Sequence, residues 1–75
     1  MEDDWKLRYR EYIDNRYLQL LSMPNDKKLS KVELLTLGAV KVQTENMELM
    51  VVTLPFHPRD TFVFKKEDDG GYYKW

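Results

Sequence analysis

Residues 4–22, "DWKLRYREYIDNRYLQLLS", decide the fold of this chain, because they form its longest segment with a helical period. At about 100° per residue, one half of the helical cylinder carries seven aromatic or aliphatic side chains: Trp5, Tyr9, Tyr12, Ile13, Tyr17, Leu20 and Leu21. The proline of the following "MPND" cannot donate to the helical ladder and disfavours helix in the residue before it. We therefore predict a helix over residues 4–22.

The next segment, residues 29–37 with the sequence "LSKVELLTL", is compatible with two structures. Ser30 and Glu33 have the spacing of a capping box, and Gly38 stands where a helix would end. The same residues also alternate loosely between apolar and polar, as in a strand. The sequence leaves a short helix and a strand equally open.

The remaining chain is rich in branched and aromatic residues separated by turn residues, which predicts the strands "AVKVQ", "MELMVVTL", "TFVFKK" and "YYKW". The second of these has a single charge, Glu48, and would aggregate at an open sheet edge. We therefore expect it to be central, with "YYKW" at an edge. The predicted fold is α+β in two layers, with the N-terminal helix packed on one face of an approximately four-stranded antiparallel sheet.

The last hairpin contains "KEDDGG", in which Asp-Gly or Gly-Gly would suit a two-residue turn. Either choice places Tyr73 and Trp75 on the same face of the sheet as Phe62 and Phe64, as a wall for the helix. A loop of three or five residues would instead shift the register by one residue and break that agreement.

The composition predicts one small domain over residues 1–75, with its strand-rich part over residues 32–75. The chain has no cysteine, which excludes disulfides and thiolate metal sites. It also has no apolar stretch long enough for a signal peptide or a membrane span, so we expect a soluble cytoplasmic protein with no membrane partner. Twelve basic and thirteen acidic residues leave a net charge of −1, without the basic excess of a typical nucleic-acid binder.

The stretch "LPFHPRDTF", residues 54–62, contains the only histidine, His57. No nucleophile elbow or oxyanion loop accompanies it, and its two prolines suit a connection between strands. We predict a surface turn here and no catalytic residue anywhere. One histidine without cysteine does not build a zinc site, "KEDDGG" lacks the spacing of a calcium-binding loop, and no phosphate-binding motif is present. The sequence thus predicts no metal, no cofactor and no enzymatic activity.

Binding is the remaining class of function. Arg16 falls inside the apolar stripe of the helix, near Tyr9 and Tyr12, and tyrosine with arginine is typical of interface hot spots. The alternative for these residues is that Arg16 merely snorkels along the edge of the core. Leu7 and Leu18 lie on the opposite side of the helix and form a second candidate face. We predict a small protein–protein interaction module, such as a regulator, adaptor or inhibitor of the kind that serves as an accessory protein in bacteria or phages.

Two further partners are open. Nucleic acid is the less favoured one, because Glu11 and Asp14 interrupt the basic residues of the first helix and following loop, which are Lys6, Arg8, Arg10, Arg16, Lys27, Lys28 and Lys31. The other is a second copy of the chain, with "YYKW" pairing at a sheet edge to form a homodimer.

Overall fold

The computed structural model describes residues 4–75, so residues 1–3 of the predicted domain lie outside the described part. Its elements in chain order are α1 (Asp4–Ser22), α2 (Lys31–Thr36), β1 (Val40–Gln43), β2 (Glu48–Thr53), β3 (Thr61–Lys66) and β4 (Tyr72–Lys74). The strands form one antiparallel sheet in the order β1-β2-β3-β4. The predicted α+β fold is confirmed, as are the central place of "MELMVVTL" and the edge position of "YYKW".

The core lies between the helices and one face of the sheet, which we call the inner face. Its buried cluster comprises Ile13, Leu20, Leu29, Leu34, Ala39, Met50, Val52, Leu54, Phe62, Phe64 and Tyr72. Only the second half of α1 reaches this cluster, through Ile13, Leu20 and the partly buried Tyr17. Residues 4–12 are exposed throughout, so the apolar stripe of α1 faces the sheet only near its C-terminal end.

The ambiguous segment after α1 uses both of the structures that its sequence allows. Leu29 forms an isolated antiparallel bridge with Tyr72, as a strand residue would. Directly after it, the Ser30 side chain accepts a hydrogen bond from the Glu33 amide at 3.1 Å and caps α2. Gly38 follows α2 with φ +83°, a conformation that glycine adopts without strain.

The predicted face of the last hairpin is wrong. Phe64 is paired with Lys74 across the β3–β4 ladder, and directly opposed residues share a face. Lys74 therefore lies with Phe62 and Phe64 on the inner face. Tyr73 and Trp75 lie on the opposite, outer face, so they form no wall for α1.

The physical reason is the turn. Glu67 donates its amide to the Gly71 carbonyl at 2.9 Å, which leaves a three-residue loop with Gly70 at φ +83°. The Asp69 carboxylate accepts a hydrogen bond from the Gly71 amide at 2.8 Å and holds this longer loop in place. The register shifts by one residue, and Tyr72 becomes buried beneath the helices with 1% of its surface exposed.

One consequence of this register is a link between β4 and the end of α1. The Lys74 ammonium donates to the carbonyl oxygens of Leu20 at 2.9 Å, Leu21 at 3.1 Å and Met23 at 3.4 Å. These carbonyls lie at the C-terminal end of α1, where the helix supplies no further amide donors and where a cation is favourable. Lys74 of the sheet thus caps the C-terminal end of α1.

Lys74→Met is expected to lower the free energy of unfolding by about 1–2 kcal/mol, because charged hydrogen bonds to the helix end are lost. The measurement is urea unfolding followed by far-UV circular dichroism. Lys27→Met is the matched control, since Lys27 is exposed and its side chain makes no hydrogen bond in the described structure. Equal unfolding midpoints for the two variants would contradict the role of Lys74.

Candidate docking surface

A groove runs between α1 and α2. Its cavity, about 300 Å³ in volume, is lined by Tyr12, Met23, Leu29, Val32 and Leu37, together with the polar residues Arg16, Gln19, Lys27, Glu33 and Thr36. A second cavity of about 360 Å³ lies beside it, between α1 and the chain at the end of β2, and includes Tyr9. Tyr12 and Arg16 line both cavities, because they are one helical turn apart on the side of α1 that faces α2. We call the two cavities together the α1–α2 groove.

Arg16 is the charged centre of this groove. Its guanidinium carbon lies 5.1 Å from the centroid of the Tyr12 ring, and Nη1 donates to Oε1 of Gln19 at 3.0 Å. Within residues 4–75, no carboxylate forms an ion pair with Arg16. A guanidinium has five N–H donors, so most of its hydrogen-bonding capacity is unused by the chain itself.

The exposed end of α1 forms a second apolar surface, which we call the aromatic end. It surrounds a cavity of about 450 Å³ lined by Trp5, Lys6, Leu7, Tyr9, Arg10 and Phe56. The rings of Tyr9 and Phe56 meet edge to face with centroids 6.0 Å apart, and the Arg10 guanidinium lies 5.2 Å from the Phe56 ring. Tyr9 belongs to both surfaces, so the aromatic end continues into the α1–α2 groove.

Phe56 is held in an unusual backbone conformation. Its φ is +70°, although it is a bulky residue for which the left-handed region is strained. Such strain costs about 1–3 kcal/mol and persists only where the surrounding structure enforces it. The ring remains 49% exposed, so the strain is not compensated by full burial in the core.

The loop that carries Phe56 is attached to α1 through His57. The His57 ring stacks on Tyr17 with centroids 3.9 Å apart, and its Nε2 lies 2.7 Å from Oδ1 of Asp14. The Tyr17 hydroxyl donates to Asp60 at 2.8 Å, a hydrogen bond that raises the pKa of Tyr17. The segment is the turn that its sequence predicts, made of two consecutive turns, and its histidine fastens it to the helix.

The predicted binding residues divide into separate places. Tyr9, Tyr12 and Arg16 lie together along the α1–α2 groove. Leu7 lines the aromatic end, whereas Leu18 lies apart from both surfaces and is 58% exposed. Sequence reasoning missed Phe56, although a phenylalanine directly after a proline in a turn was a signal that could have pointed to it.

The basic residues do not form one continuous strip. Arg10 lies 3.9 Å from Asp14, and Lys28 lies 3.9 Å from Asp69, so acidic neighbours interrupt the positive charge. On the sheet, Lys41 and Lys66 both approach Glu48. Residues 4–75 contain no group of three or more acidic, histidine or cysteine side chains that could hold a metal ion.

Glu48 is the centre of a polar cluster at the edge of the core. It accepts a hydrogen bond from the Tyr72 hydroxyl, which, together with Lys41 and Lys66, holds the pKa of Glu48 below its usual range. Burial, and then the contact with Glu48, raises the pKa of Tyr72 to about 12. Glu48 and Tyr72 leave no buried polar side-chain atom without a hydrogen-bond partner. They line neither the α1–α2 groove nor the aromatic end, so we assign them a role in stabilising the sheet.

No helix in the described part of the chain is long and apolar enough to cross a membrane. Comparison with known proteins finds no matching family model, no similar curated protein and no similar solved structure.

Proposed function

We propose that this chain is a small, non-enzymatic docking module that binds another protein in the cytoplasm through the α1–α2 groove and the aromatic end. The observation that carries the proposal is Arg16, which lines both cavities and forms no ion pair with a carboxylate of residues 4–75. Its neighbours are exposed tyrosines, and arginine with tyrosine is the composition of interface hot spots.

The chemistry of the groove describes its partner. Met23, Val32 and Leu37 provide apolar contact, so the partner contributes apolar side chains. Arg16 calls for an acidic side chain, because a guanidinium binds a carboxylate through two parallel hydrogen bonds. The stacking on Tyr12 already restricts Arg16, which reduces the entropy that is lost on binding. The partner is therefore an apolar protein segment that carries an acidic residue.

The aromatic end supports the same function. Trp5 and Phe56 are 62% and 49% exposed, and large apolar side chains that cluster on the surface mark interaction sites. The strained φ of Phe56 keeps one of these rings outside the core, which favours a role in contact over a role in packing. A partner that fills the groove and continues along α1 would cover both rings.

The test compares two variants, each of which introduces one negative charge on a different side of α1. Tagged wild-type protein, Arg16→Glu and Leu18→Glu are each used to capture partners from lysate of the native host, with and without nuclease. We expect one protein to be retained by wild type and by Leu18→Glu, and its affinity for purified Arg16→Glu to fall at least tenfold. Circular dichroism checks that both variants are folded, which is expected because both positions lie on the outside of a helix.

The other outcomes contradict the proposed groove. Loss of the partner with Leu18→Glu alone would assign the binding to the face of Leu7 and Leu18. Retention that disappears after nuclease, with an affinity that falls steeply as salt is raised, would assign the function to nucleic acid. Equal retention by both variants would mean that the partner binds elsewhere on the molecule.

A further inference from the structure

The outer face of the sheet is also apolar, and it lies on the side away from both helices. Its side chains alternate with those of the core, and the apolar ones are Val40, Val42, Leu49, Val51, Val63, Tyr73 and Trp75. Lys65 is the only charged side chain on this face among the described strand residues. The face is separate from the α1–α2 groove, so its occupant is independent of the partner proposed for that groove.

Strand β1 places apolar side chains on the outer face. Its two valines, Val40 and Val42, point outward and are 64% and 40% exposed. Lys41 and Gln43 point to the inner side, where a core would normally require apolar residues. An antiparallel sheet covered on one side usually has the reverse pattern, with polar residues outside. All four residues of β1 are exposed, and its two valines leave an apolar margin on the outer face that is available to a second protein surface.

The size of the face suits a pair of small domains. Strands spaced about 4.8 Å apart and rising about 3.3 Å per residue give a plane of roughly 19 by 20 Å, or about 400 Å². The pleated side chains expose more area than the plane, and the ring of Trp75 adds to it at the margin. Stable dimers bury about 600–1,000 Å² on each partner, so an outer face of this size suits a weak, reversible dimer that buries less than that range.

We propose that the occupant is a second copy of this chain, which packs its outer face against the first to form a symmetric sandwich of two sheets. Two copies have the same twist, and sheets of equal twist pack face to face about 10 Å apart with their strands nearly aligned. Because Lys65 is the only charged residue of the described strands on this face, the centre of the contact requires little charge to be removed from water. The pair is closed, because each copy uses the same face.

The edge of β4 is less available for a dimer than this face. Leu29 and Tyr72 exchange both of their backbone hydrogen bonds at 2.9 Å, which occupies the outward groups of Tyr72. A second copy that paired along β4 would first have to displace Leu29. The outer face needs no rearrangement.

The test measures the mass of the protein in solution by sedimentation equilibrium between about 1 µM and about 1 mM. We expect a reversible dimer that dissociates on dilution. Val42→Lys and Trp75→Lys place a charge at opposite margins of the outer face, and each is expected to weaken the dimer at least tenfold. Leu35→Lys is the control, because it introduces the same charge at a 51% exposed apolar position of α2 outside the α1–α2 groove, and it should leave the dimer unchanged.

Each alternative result overturns the proposal. A wild-type protein that remains monomeric at the highest concentration has no second copy on this face. A dimer weakened by only one of the two lysine variants would be joined at a sheet edge, and growth beyond the dimer would exclude a closed pair. Circular dichroism of the variants separates loss of the dimer from loss of the fold, and both substituted side chains are at least 40% exposed in the single chain.

Discussion

Replacing Phe64 with alanine is expected to unfold much of the protein at room temperature. The Phe64 ring is fully buried on the inner face of β3, opposite Met50 of β2. Truncation of a buried phenylalanine to alanine costs about 3–5 kcal/mol, because the lost contacts leave a cavity that small shifts cannot fill. A core in a chain of this length rarely supplies more than about 3–5 kcal/mol. The loss is therefore comparable to the whole stability.

The measurement is urea unfolding followed by far-UV circular dichroism, with the free energy extrapolated to water. Phe56→Ala is the matched control, because it makes the same change in a ring that is 49% exposed, and its effect should stay within about 1 kcal/mol. Phe64→Leu, which keeps part of the volume, should remain folded with a smaller loss. Similar midpoints for Phe64→Ala and Phe56→Ala would contradict the described core.

The second large effect is a loss of stability between pH 10 and about 12, caused by Tyr72. Its pKa is raised from 10 to about 12, since ionisation would place a phenolate inside the core beside Glu48. Above pH 10 the unfolded chain releases this proton while the folded chain still holds it. The unfolded state then binds fewer protons, so the free energy of unfolding falls as the pH rises. A shift of this size corresponds to about 2–3 kcal/mol.

Tyr72→Phe removes the ionisable group and is expected to remove most of this pH dependence. It should also cost about 1–2 kcal/mol at neutral pH, because the hydrogen bond to Glu48 is lost. Urea unfolding at neutral pH and at a series of alkaline pH values measures both effects. Tyr73→Phe serves as the control: the hydrogen bond to Asp69 also raises the pKa of Tyr73, but this tyrosine lies on the outer face, so a smaller part of the pH dependence should be lost. If Tyr72→Phe loses as much stability above pH 10 as wild type, the buried hydroxyl is not the cause.

The Tyr72 effect depends on the register of β3 against β4, which the sequence did not determine. The letters "KEDDGG" allow several turns, and each turn assigns alternate residues of "YYKW" to a different face. The Asp69 side chain and the left-handed Gly70 select the three-residue loop, which buries Tyr72 and turns Tyr73 outward. Strand side chains alternate with a period of two. One extra residue in the loop therefore moves every side chain of β4 to the opposite face of the sheet.

The candidate site was likewise predicted only in part from the sequence. Periodicity placed Tyr9, Tyr12 and Arg16 on one side of a helix, and the structure brings these three residues together beside α2. No sequence pattern could show that α1 extends beyond the sheet and leaves its first turns exposed. That depends on where α1 meets the core, which is decided by contacts between residues far apart in the chain, such as His57 with Asp14 and Lys74 with Leu20.

Local sequence signals were enough to predict α1 and the four strands, whereas α2 was left open between a helix and a strand. The helical period of residues 4–22, the proline that comes after them, and the branched and aromatic runs after residue 39 are local signals, and each acts within a few residues. Only the tertiary structure decided which faces of those elements are buried, since burial depends on turn geometry and on packing between distant segments. The assignment of Tyr72 to the core, and of the β1 valines to the outer face of the sheet, belongs to this second level.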